Sequence, residues 1–590
     1  VTNLPQSDAK HFCLILIKPS HYDAAGYVIQ WLRAPIPSNS LAVINGLARD
    51  CAERKILGDE CEIEVHSIDE TLERVRVERL ARMIEAAGSG MVMLVGVQSN
   101  QFPRALDIAS QFRERGVQVA IGGFHVSGTL AMLKERDAGI KRGEDMGVSL
   151  FSGEAEGRFE VILADAASGR LRPMYDYMDD LPGLEDSVTP ILPAELAARS
   201  MGNTSFDAGR GCPFSCSFCT IINVQGRKSR FRTGDDVERI IRANVAQGVK
   251  SFMITDDNFA RNKNWEEIVD RLIQLREIDK FDIKFSIQID TGTHKIPNFI
   301  DKCSRANVRR VFVGLENINP DNLVSARKNQ NKITEYRAML LAWKRTGALI
   351  FCGYIIGFPH DTPESIARDI KIIQNELPID MVEFTCLTPL PGSADHRDMV
   401  AAGADLDPDL NHYDLHHVTI DHPKMSRDEW AKAYSETWQR YYTDEHSRTV
   451  LRRAVATGTS PGKTMPNFVW FRGHADIEGV HPIEGGFFRL KYRRDRRPEF
   501  KTESPVTFYP KYAAETVWKL GRWAALYLRH YRILRSVMKD PTRLEYTDLA
   551  ITAPIGDEIE DLEMFHTSSG HDYVEKLKQL EKRRAPAAVN

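Results

Sequence analysis

No apolar run in this 590-residue chain is long enough to span a bilayer. Its first ten residues, Val1 to Lys10, lack the basic-then-apolar layout of a secretory signal. Neither charge is in excess: 78 Lys and Arg stand against 82 Asp and Glu, a net charge of −4. Nucleic-acid binders usually present a basic domain, so no nucleic-acid partner is expected. Cysteine is scarce and odd in number, nine in all, and none follows Cys386. A disulfide framework is not indicated, and a reducing cytosol is the expected setting. At this length one core cannot serve the whole chain, and three or four domains are expected.

Six of the cysteines (Cys13, Cys51, Cys61, Cys303, Cys352 and Cys386) are scattered, several of them in apolar strand-like runs. There a cysteine is most often a small buried hydrophobe. The other three stand together in Gly209-Arg210-Gly211-Cys212-Pro213-Phe214-Ser215-Cys216-Ser217-Phe218-Cys219, just after the strand-like run Thr204–Asp207. Three thiolates on one tight loop can hold three corners of a [4Fe–4S] cubane and leave the fourth iron open. A structural zinc site would need four ligands, usually in two pairs, and no second C-x2-C exists. The C-x3-C-x2-C spacing, with Phe218 directly before the last cysteine, closely resembles the signature of the radical S-adenosylmethionine (SAM) enzymes. The lack of later cysteines sets aside the subgroup with extra C-terminal clusters.

The flanking patterns give an α/β chain. Apolar runs at His11–Ile17, Cys61–Ile68, Met91–Val97, Gln118–Gly122 and Gly147–Phe151 alternate with helical patterns at Ser38–Arg54, Leu72–Ala86 and Arg104–Arg115. This period implies a doubly wound, Rossmann-like parallel sheet over residues 1–170, whose ligands lie beyond the strands' carboxyl ends. The segments there include Ser99, Asn100 and Gln101, then Gly122, Gly123 and His125, then Gly153 and Glu154. Residues 171–200 are rich in proline and acid and read as a linker.

Over 201–395 the alternation resumes with strands at Thr204–Asp207, Ser251–Thr255, Lys284–Ile289, Arg310–Gly314, Leu349–Ile356 and Met381–Leu387. Six such strands predict a partial (β/α)6 barrel with its chemistry at the carboxyl ends, where the three cysteines indeed fall. Beyond Gly392 helices dominate, near Arg427–Tyr442 and Tyr512–Met538, so 396–590 is expected to be mostly helical. His412, His416, His417 and His422 fit no metal-site spacing and suggest substrate-side hydrogen bonding or proton transfer.

The order of features ahead of the cysteines (Ile36-Pro37-Ser38, the Gly122-Gly123-x-His125 turn, Gly153-Glu154-x-Glu156) resembles the cobalamin-binding-domain branch of the radical SAM enzymes over roughly residues 11–395. The resemblance implies a [4Fe–4S] cluster on Cys212, Cys216 and Cys219, with SAM chelating the open iron. Carried over by position, Phe218 would contact adenine and Glu316 the ribose or amino group. Asp257, Gln288, Gly353, Ile355 and Leu387 complete the implied SAM site. Ser99, Asn100, Gln101, Gly122, Gly123, His125, Gly153 and Glu154 are the implied cobalamin contacts. One departure stands out: the D-x-H-x-x-G loop that gives many cobalamin proteins a cobalt ligand is absent.

The implied chemistry is reductive SAM cleavage to methionine and a 5′-deoxyadenosyl radical, fed by an electron donor such as flavodoxin or ferredoxin. The expected function is C-methylation of an unactivated carbon in a lipid, isoprenoid or tetrapyrrole-like small molecule. The alternatives are a radical SAM oxidoreductase, cyclase or C–C bond-forming enzyme that binds no cobalamin, and a non-catalytic iron–sulfur electron-transfer or SAM-sensing protein. Across 512–538, Trp518, Trp523, Tyr527 and Tyr531 mix with Lys519, Arg522, Arg529, Arg532 and Arg535, the makeup of a helix lying on a membrane surface. The cytoplasmic protein would then be peripheral to the inner face of the membrane. The alternative is a helix packed on the barrel mouth with its arginines in water.

Overall fold

The computed structural model describes residues 10–552 and 562–584. Its first sheet has six parallel strands: β1 (His11–Lys18), β2 (Glu62–Asp69), β3 (Gly90–Leu94), β4 (Gln118–Gly122), β5 (Ser149–Ser152) and β6 (Met174–Asp176), in the order β2-β1-β3-β4-β5-β6. Alternate residues of β1 supply opposite cores. Phe12, Leu14 and Leu16 enter one apolar cluster and Cys13, Ile15 and Ile17 the other. A strand apolar on both faces needs helices on both, which is why it reads as one unbroken hydrophobic run. Ser38 caps the helix Asn39–Glu53 by accepting from Leu41 N, a contact worth about 1 kcal/mol. Strand β6 lies inside the stretch that reads as a linker. It pairs Met174 with Leu150 and Tyr175 with Phe151, so the sheet continues past residue 170.

The second sheet holds β7 (Asn203–Phe206), β8 (Ser251–Ile254), β9 (Lys284–Ile289), β10 (Val308–Glu316), β11 (Leu349–Ile356) and β12 (Met381–Cys386), each parallel to the next. Strands β7 and β12 form the two edges, so the barrel is open. One face is packed under helices: Ile287, Ile289, Val311, Val313, Ile350, Cys352, Val382 and Phe384 all join a single buried core. Side chains alternate along a strand, so the intervening residues face the lumen. The register aligns Gln288 with Phe312, and Gly314 with Gly353 and Glu383, on that lumen face.

Five longer helices follow among the described residues: Arg427–Tyr441, Asp444–Ala456, Pro461–Gly473, Pro505–Lys539 and Ser568–Arg584. The first covers the barrel's β12 edge. Tyr442 Oη, just past the helix, accepts from Val382 N and donates to Val382 O, and Tyr434 Oη donates to Phe384 O. An uncovered strand edge is a template for aggregation, and these side chains occupy the free backbone groups. The short strand Phe487–Leu490 pairs antiparallel with Gln30–Arg33, tying the last third back to the first.

Candidate active site

The cysteine loop is held from both ends. Asp256 Oδ1 accepts from Ala208 N (2.7 Å) and Gly209 N (2.9 Å), and its Oδ2 accepts from Asn262 Nδ2 (2.8 Å). Gly209–Arg210 then pairs antiparallel with Arg230–Phe231. Gly211 turns the chain at φ +91°, where an added Cβ would lie 2.4 Å from Lys228 O. Farther on, Ser217 N donates to Ala326 O, and Ser217 Oγ donates to Asp395. Cys216 is buried and its sulfur accepts from Gln330 Nε2 (3.4 Å). Burial pushes the Cys219 thiol up to about 12, with Asp257 and the other two thiols adding to it, and burial likewise raises Cys212. The three sulfurs thus form one mutually repelling group that a cationic iron cluster would stabilise as thiolates. Cys303, Cys352 and Cys386 belong to the core under the helices. No group of three or more His, Cys, Asp or Glu among the described residues is gathered as for a single metal ion. The donor set fits a cubane held at three corners.

The carboxylates that look like a pair in sequence have separate tasks. Asp256 is the loop clamp, whereas Asp257 faces Cys212 and Cys219. Burial raises both to about 7, and Asp256 further raises Asp257. In β10 the register shifts between Gly314 and Glu316, and Glu316 takes φ +63°. A non-glycine residue there costs about 1–2 kcal/mol. The bulge carries the Glu316 carboxylate onto Lys328 Nζ, forming a mostly buried ion pair. Lys328 Nζ also lies 5.8 Å from the Phe218 ring centroid. Burial opposes its charge, but Glu316 and the Cys216 and Cys219 sulfurs hold its pKa raised. Phe218 and Leu387 pack against an apolar cluster of Ala326, Ile355 and Phe358. Phe218, Ile355 and Leu387 therefore meet in one patch, while Gln288, Gly353 and Glu316 share the lumen wall. These residues fit a ligand with a flat apolar end and a charged end.

Lys328→Met removes the cation between the sulfurs and Glu316. We expect at least a tenfold weaker SAM dissociation constant with iron content unchanged. Equilibrium dialysis and iron assay check this, and Lys328→Arg should recover part of the loss.

Sequence reasoning missed Glu383, an acid inside the apolar run of β12. It is 6% exposed, lies opposite Gly353 on the lumen face, and is raised to about 8 by burial and by Glu316. A lone acid in a two-sided buried strand was the available signal.

At the carboxyl edge of the first sheet lies a cavity of about 190 Å³. Its walls are mostly apolar, including Val43, Ile44, Met93, Phe151 and Ile162. Gly122, Gly123, Gly153 and Glu154 line it as expected, joined by Asn39 and Ser40, and by Arg210, Val224 and Gln225 from the cysteine-loop side. Ser99, Asn100, Gln101 and His125 are not among its lining residues. His125 is fully buried, hydrogen-bonds Ser99 through Nδ1 (3.2 Å), packs tilted against the Phe102 ring at 4.1 Å, and is pushed by burial down to about 3. Asn100 donates to Glu484, and Gln101 accepts from Gln98 N. The lining contains no histidine or cysteine, so a corrinoid would fit here only without an imidazole ligand from this wall.

Glu154 serves mainly as a strut. It accepts from Arg210 (2.6 Å) and pairs with Arg230; Arg210 also grips Glu156 (2.6 Å) and Asp207 (3.1 Å). This buried network joins the first sheet's edge to the cysteine loop. The four histidines are separately engaged: His412 with Asp407, His417 with Asp414, His416 with Tyr434 Oη, and His422 with Phe358 O.

Comparison with known proteins agrees with this geometry. The radical SAM superfamily model matches residues 208–373. The chain is 27% identical over 426 residues to bacteriochlorophyllide d C-8(2)-methyltransferase of Chlorobaculum tepidum, covering 67% of this chain and 90% of that one. It is 25% identical over 216 residues to hopanoid C-2 methylase of Rhodopseudomonas palustris, covering 35% and 41%. Among solved structures, the radical SAM methyltransferase TsrM of Kitasatospora setae with cobalamin and [4Fe–4S] bound superposes with a TM-score of 0.52 at 15% identity, over 72% of this chain and 88% of that one. The cobalamin-dependent radical enzyme OxsB with aqua-cobalamin and SAM bound gives 0.51 at 13%, over 97% and 84%. Residues 208–373 carry a radical SAM domain, and the chain is an enzyme. The two solved structures share the fold of this chain, and the radical SAM domain implies a [4Fe–4S] cluster and SAM as cofactors.

Proposed function

We propose that this enzyme is a C-methyltransferase acting on an unactivated carbon of a small, largely apolar molecule, in the range of a lipid, isoprenoid or tetrapyrrole. The observation that carries the reading is the shared wall. The sheet-edge cavity and the cysteine loop meet at Arg210, Val224 and Gln225, so a group in the cavity borders the barrel mouth. When bound, the cluster and SAM supply radical chemistry and the corrinoid supplies the methyl group. The chain's own part is to hold these sites together through Arg210, to shape an apolar adenine patch from Phe218, Ile355 and Leu387, and to balance charge with Lys328 and Glu316. The polycyclic substrates in the names of the Chlorobaculum and Rhodopseudomonas relatives support an apolar substrate here. We assign residues 1–170, extended by β6, to the corrinoid, 201–395 to SAM, and 396–590 to the substrate side. A flavodoxin- or ferredoxin-type donor in the cytoplasm would supply electrons. The described residues include no helix long and apolar enough to cross a membrane.

The test is anaerobic iron reconstitution, then incubation with SAM, hydroxocobalamin and a strong reductant. We expect 5′-deoxyadenosine and S-adenosylhomocysteine once an acceptor is supplied; deoxyadenosine with no corrinoid retained would turn the reading to the cobalamin-free alternative. Ala155→Trp fills the cavity wall from a loop position. It should abolish corrinoid retention, read from the visible spectrum after gel filtration, while leaving iron content unchanged.

A further inference from the structure

The helix Pro505–Lys539 packs through one face only. Phe508, His530, Ile533 and Val537 are buried, and Trp523, Leu526 and Leu534 pack partly against Leu451, Met465 and Val469. At 100° per residue, the opposite face from Val506 to Leu528 carries Val506, Pro510, Ala513, Val517, Ala524 and Leu528, with no charge among them. Val506 is 84% exposed, Val517 71% and Leu528 52%. That uncharged stripe runs about 33 Å. Beside it stand exposed Trp518 and the stacked pair Tyr527 and Tyr531, amphipathic rings suited to a boundary between water and hydrocarbon.

The charges decide what covers this stripe. The helix has one acid, Glu515, and it is turned inward onto Lys491 and Lys519. Every charge at the exposed face and its flank is positive. Lys511 and Arg529 have acidic partners, but Arg532, Arg535 and Lys539 have no ion pair among the described residues. A second copy of the helix would set cation against cation. An anionic lipid surface offers hydrocarbon to the stripe and phosphate to the arginines. No helix among the described residues can cross a membrane, so the contact is peripheral.

We propose that Pro505–Lys539 is a membrane-docking helix that lays its Val506–Leu528 stripe into the surface of an anionic bilayer. This inference does not depend on the methyl-transfer reading. The basic run Lys491–Arg497 is mostly excluded from the surface, because Lys491, Arg496 and Arg497 are committed to Glu515, Glu503 and Asp409.

The test is flotation of the full chain with vesicles of phosphatidylcholine alone and of phosphatidylcholine with one quarter phosphatidylglycerol. We expect flotation with the anionic vesicles at least tenfold above the neutral ones, weakening as salt rises. Arg532→Gln with Arg535→Gln should weaken it about fivefold per cation removed. Val517→Glu with Leu528→Glu changes exposed side chains only and should abolish it, with the far-ultraviolet circular dichroism unchanged. Absence of flotation, or flotation indifferent to both double variants, overturns the proposal. So does a dimer in light scattering that Val517→Glu dissociates without any vesicle binding, since the occupant would then be a second copy.

Discussion

Arg210→Met is expected to destabilise the protein by about 3–5 kcal/mol, the usual cost of leaving buried charges without their partner. The guanidinium is enclosed by Glu154, Glu156 and Asp207, all with side chains under 10% exposed. Methionine keeps much of the volume but none of the charge, so three carboxylates share a dry space with only Arg230 and Arg232 nearby. Burial pushes the Glu156 and Asp207 pKa values upward, but Arg210, joined at Asp207 by Arg232, outweighs it and holds both below the ordinary range. Depressed carboxylates stabilise the fold above their unfolded values, about 4.3 and 3.9, and that stabilisation is lost as pH falls through the folded values. Without Arg210 burial prevails and the two values rise, so the same groups penalise the fold at neutral pH and less so in acid. The urea midpoint of the variant should therefore lie far below wild type at pH 7 and approach it near pH 4.5. A constant gap between the two pH values would show that the network is not electrostatically coupled. Loss of this strut should also detach the cysteine loop from the first sheet's edge, lowering corrinoid and iron retention together.

That network is the kind of feature a sequence conceals, because its six members come from three separated segments with no motif joining them. The regular elements were more legible. Strand β4 lies at the expected Gln118–Gly122, and the helix Asn39–Glu53 begins after Ser38, because local patterning and capping decide them. Strand β6 was missed because three residues among prolines carry no period. The helices Asp444–Ala456 and Pro461–Gly473 were not individually placed; turn residues Gly458-Thr459-Ser460 separate them and Pro466 interrupts the second.

Two element boundaries decide which residues of the first sheet's edge face the cavity. Strand β3 ends at Leu94 rather than Val97, so the turn facing the cavity is Val95-Gly96, and Ser99 to Gln101 already lead into the next helix. The helix after Gly123 begins at Phe124, so Phe124 and Ser127 share the cavity side and His125 is rotated away onto Phe102. In the barrel the strand ends fell close to the expected positions. Alternation along those strands puts Gln288 and Gly353 on the lumen face, positions that the family resemblance implies.

Cys216→Ala is expected to abolish cluster assembly and every activity that depends on it. Cys212→Ala and Cys219→Ala should do the same. The loop supplies three thiols and no fourth, and the remaining cysteines among the described residues lie in cores or strands remote from it. With one sulfur gone, two irons of a cubane would lack protein ligands, and the two remaining thiolates cannot hold it against loss to solvent. Among the three, Cys216 is the most buried and the one hydrogen-bonded by Gln330. Its loss should be the least compensated by added thiol in the buffer. Cys303→Ala and Cys352→Ala are the controls. Both residues are fully buried in the core under the barrel helices. These variants should keep full iron and sulfide content and lose only about 1 kcal/mol of stability. The measurement is iron and sulfide per chain after anaerobic reconstitution, with 5′-deoxyadenosine formation alongside. Four irons retained in Cys216→Ala, or iron lost in Cys352→Ala, would move the cluster off this loop. The role of Phe218, Lys328 and Glu316 would then fall as well, since they are assigned as the neighbours of a cluster on this loop.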